Sequence, residues 1–172
     1  MSKSQIRFPK KTIADTMMRK VVAEQNKRLI AYAEEELFEM IVTREFTSRT
    51  YNLIDSYVWA VFYDGKEQGH GFVGGKKAVE NAYLHAFSKT NRIPVDGRAE
   101  AQSFINAART MYANRDGWVI VWAACAPYAY YLDPAAGNSP TNRFLVISQR
   151  YDHIVGALGP KTKVQFIKNA PA

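Results

Sequence analysis

Three glycines, Gly69, Gly71 and Gly74, fall in the spacing GxGxxG that cradles a dinucleotide pyrophosphate at a helix N-terminus. That chemistry needs the glycines at the first turn of a strand–helix–strand unit, with an acid about 20 residues further on. Here they follow a hairpin signal, and Asp96 is the only acid near that distance, so the run reads as a glycine-rich hairpin edge. Gly75-Lys76-Lys77 resembles the end of a phosphate-binding loop, but His70 stands where its first glycine belongs. Lys77 likewise replaces the hydroxyl that would hold magnesium. Cys125 with His85 or His153 and Asp133 supplies the residue types of a thiol nucleophile. It lies in an apolar strand, however, where a cysteine acts as a small buried hydrophobe. The three histidines never pair as HxH or HxxxH, and one cysteine cannot build a thiolate zinc site. Glu34, Glu35, Glu36 and Glu39 cluster on one helix and read as a solvated face. The expectation is no catalytic residue, no metal and no cofactor.

The chain that would position these groups has 172 residues, 47% hydrophobic and 13% aromatic, with 23 basic against 16 acidic residues and a net charge of +7. That length suits one domain with its own core, and the apolar content excludes a disordered or low-complexity chain. No run approaches the roughly 20 apolar residues that span a bilayer, and the N-terminus lacks the apolar region of a secretory signal. A soluble protein made in the cytoplasm, with no membrane partner, is expected. The positive charge is uneven. Lys3, Arg7, Lys10, Lys11, Arg19, Lys20, Lys27 and Arg28 face only Asp15 and Glu24 in the first 28 residues, and the glutamates of 34–39 then reverse the sign. Such a split fits a nucleic-acid footprint, with Lys3, Arg7, Lys10 and Lys11 as contacts to phosphates. It fits equally well a basic segment of one subunit meeting an acidic patch of another. Only Phe8 interleaves with the basic arm, so a stacking platform for single strands is missing.

Residues 1–11 read as a basic arm and 12–172 as a single domain. Thr12 and Asp15 make a capping-box-like helix start. Ile13, Met17, Val21, Leu29, Ala33, Leu37 and Met40 or Ile41 then carry helical periodicity over about 30 residues, about 45 Å, with a polar gap from Glu24 to Arg28. A helix so long overhangs its core, and the interrupted stripe implies two contact regions. Ser56 to Tyr63 and Lys66 to Val73 read as strands joined by Asp64-Gly65. Residues 74–98 read as a helical insertion, with a short helix from Lys76 to Ser88 broken at Ile93-Pro94. A second helix follows over Gly97 to Asn114, with Phe104, Ile105, Ala108, Met111 and Tyr112 inward. Trp118 to Ala124 is near-continuously apolar and reads as the central strand. Phe144 to Leu158 has helical spacing with a Gly159-Pro160 stop, and Lys163 to Lys168 alternates as a last strand. The sum is an α+β fold: a long N-terminal helix and a mostly antiparallel four-stranded sheet packed by two further helices.

Two segments carry more. Arg49-Thr50-Tyr51-Asn52-Leu53-Ile54-Asp55-Ser56 lies between the long helix and the first strand. Ala126-Pro127-Tyr128-Ala129-Tyr130-Tyr131-Leu132-Asp133 follows the apolar strand. The pairing resembles the tail-completion or neck proteins of tailed bacteriophages, the head–tail joining and minor tail components, from about Thr12 to Lys168. Tyr51 stands where that family tends to have Gly, and Asp133-Pro134 where it tends to have Glu-aromatic-Gly. The resemblance implies a non-enzymatic structural protein of the virion, forming a homo-oligomeric ring of twelve against a portal or of six in a tail tube. Its partners would be identical subunits, portal or adaptor and tail-tube proteins, and weakly the packaged DNA. Arg49, Asn52, Tyr128, Tyr130 and Tyr131 are then the subunit-interface candidates, the tyrosines offering wide amphipathic contact area. Thr50 or Asn52 would cap a short turn and leave Leu53 pointing into the core. The alternative is a basic nucleic-acid-binding module.

Overall fold

The computed structural model describes residues 10–42, 52–72, 83–85, 92–94, 96–126, 129 and 150–159. The elements are α1 (Lys10–Val42), α2 (Asn52–Asp55), β1 (Tyr57–Tyr63), β2 (Lys66–Phe72), β3 (Tyr83–His85), β4 (Arg92–Pro94), α3 (Gly97–Met111), β5 (Trp118–Ala124) and α4 (Tyr151–Leu158). Strands β2, β1 and β5 form an antiparallel sheet in that order, and β3 pairs with β4 in a separate two-stranded ribbon. The chain is therefore α+β with a long N-terminal helix. The expected fourth strand of the main sheet, residues 163–168, lies outside the described residues.

β1 is the middle strand, and alternation along it builds two cores. Tyr57, Trp59 and Val61 face α1 and meet Ala33, Leu37, Met40 and Ile41, with Leu53, Ala126, Ala129 and Ile154 around them. Val58, Ala60 and Phe62 face α3 and meet Ala101, Ile105 and Ala108. The result is three layers, helix–sheet–helix. Among the described strands β1, and not Trp118 to Ala124, is the middle one: β1 is hydrogen-bonded on both edges, and β5 pairs with β1. Its unbroken apolar run reflects α1 and α3 covering its two faces, with Ile120 and Trp122 on one side and Val119 and Val121 on the other.

The hairpin forms where Asp64-Gly65 places it. Both turn residues have positive φ, 46° and 73°, as a tight turn between twisted antiparallel strands requires. Asp64 also accepts a 2.7 Å hydrogen bond from the Gly117 N–H, which ties this turn to the start of β5. Asp96 caps α3, accepting from the Arg98 and Ala99 N–H groups at 3.0 and 3.1 Å.

Three expectations change. Lys10 and Lys11 already lie in α1, so Thr12 is an internal residue of the helix, and its carbonyl accepts from Thr16 Oγ1 at 2.7 Å. In the expected helical insertion of 74–98, Tyr83–His85 and Arg92–Pro94 instead pair as antiparallel strands, Tyr83 opposite Pro94. A two-stranded ribbon has an outer edge on each strand, where a proline lacking its N–H is tolerated. On α3, Ile105 and Ala108 are buried as expected, but so is Ala101, whereas Met111 is 40% exposed, so the helix turns Ala101 and not Met111 toward β1.

Candidate functional site

The glycine motif has a packing explanation. Gly69 and Gly71 lie within β2, opposite Val61 and Trp59. A Cβ on Gly71 would meet Trp59 Nε1 at 2.6 Å, and one on Gly69 would meet Ile30 Cδ1 at 3.0 Å. These glycines open a slot in which the Trp59 indole lies across the neighbouring strand beneath α1. Two glycines paired within an antiparallel ladder are the wrong setting for a pyrophosphate, which binds at a helix N-terminus. Cys125 packs beside the core between β1 and α3, and burial pushes its thiol up to about 12, with a smaller contribution from Glu100. A thiolate nucleophile needs the opposite shift.

Polar side chains converge in three places. On the α1 side of the sheet, buried Asn26 donates to Gln68 Oε1 and accepts from Trp118 Nε1, each at 2.7 Å. It closes the end of an open cleft of about 530 Å³ between the first half of α1, at Met18 and Val22, and Tyr63 of the sheet. On the α3 side, the Glu67 carboxylate accepts from Arg109 Nε at 2.7 Å and lies 2.6 Å from His70 Nδ1. Burial alone would raise Glu67, but its hydrogen bonds to Arg109 and His70 outweigh this and leave it below its ordinary value.

The third cluster binds α4 to α1. Glu36 is buried, and its two oxygens accept from Arg150 Nε and a terminal guanidinium nitrogen at 3.0 and 3.2 Å, a fork geometry that suits a desolvated carboxylate. His153 Nε2 lies 3.0 Å from the same carboxylate. Nearby, burial first and then the Glu36 charge raise the Tyr32 hydroxyl. The Tyr32 ring packs edge-on against Trp122, whose indole donates to the Ala33 carbonyl at 2.9 Å. Sequence reading placed Glu36 on a solvated face. The missed signal is its position one helical turn from the buried residues Ala33 and Met40 and beside Leu37.

Among the described residues, exposed large apolar side chains are concentrated on the outside of α1. The helix has 33 residues, about 50 Å, and it meets the sheet from Asn26 onward. Ahead of that point Ile13, Met17, Met18 and Val21 are exposed, the last three by more than 60%. Phe38 and Val42, near the other end, are also more than half exposed, on the side away from Ala33, Leu37 and Met40. Arg19, Lys20, Lys27 and Arg28 are exposed on the first half, and Glu34 and Glu35 on the second.

Of the sequence-derived site residues, Lys10 and Lys11 lie in the first turn of α1, and Asn52 opens α2. Leu53 is buried in the core as expected, beneath a turn in which Ser56 Oγ donates to its carbonyl at 2.7 Å. Lys3, Arg7, Arg49, Tyr128, Tyr130 and Tyr131 lie outside the described residues. Among the described residues, no group of three or more His, Cys, Asp and Glu side chains is placed to hold a metal ion. No helix among them is long and apolar enough to cross a membrane. No family model, curated protein or solved structure matches the chain.

Proposed function

We propose that this chain is a structural subunit of a tailed-phage virion, a ring-forming component of the neck, head–tail connector or tail-completion assembly. The observation that carries the reading is the overhanging half of α1, which presents Ile13, Met17, Met18 and Val21 to solvent. Exposed apolar side chains grouped on one element mark an interaction surface. The charge reversal along the same helix gives that surface a complement on an identical chain. The sequence resemblance at 49–56 and 126–133 supplies the class of assembly. In this role the protein performs no chemistry: Cys125 is a packing residue, and the polar clusters hold helices to the sheet. Its partners are identical subunits, portal or adaptor proteins on one side and tail-tube proteins on the other, with packaged DNA as a weak contact.

The test is genetic and structural together. Removing the gene from its phage is expected to leave filled heads and free tails unjoined, with the protein missing from the particles. Wild-type virions free of the protein by mass spectrometry would overturn the reading.

The exposed cations Arg19, Lys20, Lys27 and Arg28 favour the second reading, a nucleic-acid-binding module. That reading requires tight DNA binding with a steep negative slope of log affinity against log salt, abolished on removing residues 1–11. Ring assembly requires neither.

A further inference from the structure

On the outer face of α1, alternating steps of three and four residues connect Ala14, Met17, Val21, Glu24, Arg28, Ala31, Glu35, Phe38 and Val42. That is the spacing of a coiled-coil seam, and every one of these residues is exposed. The seam is apolar at its two ends and charged in the middle, where Glu24 and Arg28 pair with each other at 3.2 Å within the helix. A full-length partner helix would have to cover that charged centre. A partner that overlaps only the ends would not.

We propose that α1 forms a staggered, parallel seam between neighbouring copies of this chain, an inference that rests on the ring reading above. Residues 10–21 of one copy lie on residues 31–42 of the next. The shift is three heptads, about 32 Å, so the seam positions stay in register, and the overlap is about 18 Å long. Met17 then layers on Phe38 and Val21 on Val42, with Ala14 leaving room for Glu35. The charges agree. Residues 10–21 hold Lys10, Lys11, Arg19 and Lys20 against Asp15 alone, whereas residues 31–42 hold no Lys or Arg and expose Glu34 and Glu35, Glu36 being turned inward onto Arg150. A basic half-helix thus lies along an acidic one. The simplest rival, an antiparallel pair, also layers apolar ends, Met17 on Val42 and Val21 on Phe38. It sets Glu24 against Glu35 twice, like charge on like charge, and the staggered pairing has no such layer. Each copy offers its first half to one neighbour and its second half to the other, a heterologous contact, which gives a ring where the rotation between copies closes and an open filament where it does not. The polar gap from Glu24 to Arg28 falls between the two overlaps, in neither of them.

Cysteine cross-linking of the full chain tests this. V21C/V42C, oxidised with copper–phenanthroline, should give a denaturing-gel ladder that runs past dimer to the size of the closed ring, while V21C and V42C alone give none. Circular dichroism and light scattering of the variants confirm fold and assembly before oxidation. One outcome separates the seam from the ring, and two sink both. A V21C/F38C product that stops at dimer would show a two-fold pair and overturn both. An assembled wild type whose V21C/V42C variant assembles and does not cross-link would overturn the seam alone. A wild type that stays monomeric at every concentration would overturn both.

Discussion

Replacing Arg150 with Ala should be among the most damaging single substitutions outside the apolar core. The Glu36 side chain is 4% exposed and that of Arg150 20%, with two hydrogen bonds of 3.0 and 3.2 Å between them. Removing the guanidinium leaves a desolvated carboxylate with His153, whose side chain is 55% exposed, at 3.0 Å. Breaking a buried pair from one side costs about 3–5 kcal/mol, and the remaining histidine contact places R150A near the lower end. For a chain of this length that is about 2–4 °C of melting temperature per kcal/mol. The double variant E36M/R150M removes both charges and fills the space with apolar atoms, so it should recover most of the loss. Urea denaturation of wild type, E36M, R150M and the double variant completes the cycle, with R150A beside it. A loss below about 1 kcal/mol for R150A, against the cost expected for a broken buried pair, would refute the reasoning. So would a double variant as unstable as R150A.

Three further outcomes follow from the same geometry. G71A should destabilise by about 1–3 kcal/mol, the usual cost of overpacking, because its Cβ would stand 2.6 Å from the Trp59 indole nitrogen; calorimetry of the variant checks it. Glu67 is held below its ordinary value of 4.5, so its contribution is complete above that pH and is lost as the pH falls through the lower folded value. E67Q should therefore be less stable than wild type at neutral pH, with the gap closing in acid, and a gap independent of pH from 3 to 7 would contradict the assignment. With its thiol near 12, Cys125 should exist as thiolate in only about one molecule in ten thousand at pH 8. Ellman's reagent should then react with the folded chain far more slowly than with the urea-unfolded chain.

Much of the fold was legible because local and long-range signals agreed. Asp64-Gly65 between two strands demanded a tight turn, and the α1 stripe from Leu29 to Ile41 matched the face that meets β1. The place of β5 in the sheet order was less legible, because an apolar run reports that both faces of a strand are covered and says nothing of its edges. The ribbon of β3 and β4 was missed because Tyr83 and Leu84 fit helical spacing as well as a strand, and three-residue strands are too short to show a period. At the sites, the partial burial of Cys125 followed from its neighbours in sequence. The Glu36–Arg150 pair did not, since it joins residues 114 apart in the chain. Outward exposure of Met17 and Val21 was anticipated by the length of the helix. Their alignment with Phe38 and Val42 became visible only once the sheet had fixed which face of α1 points inward.

The most direct measurement is the absolute mass of the purified full-length protein in solution, by native mass spectrometry or multi-angle light scattering, followed by electron microscopy with its portal-side and tail-side neighbours. A closed assembly of six or twelve copies that stacks between those neighbours is the expected result. A chain that remains a monomer at all concentrations, alone and in the presence of those neighbours, would contradict the account.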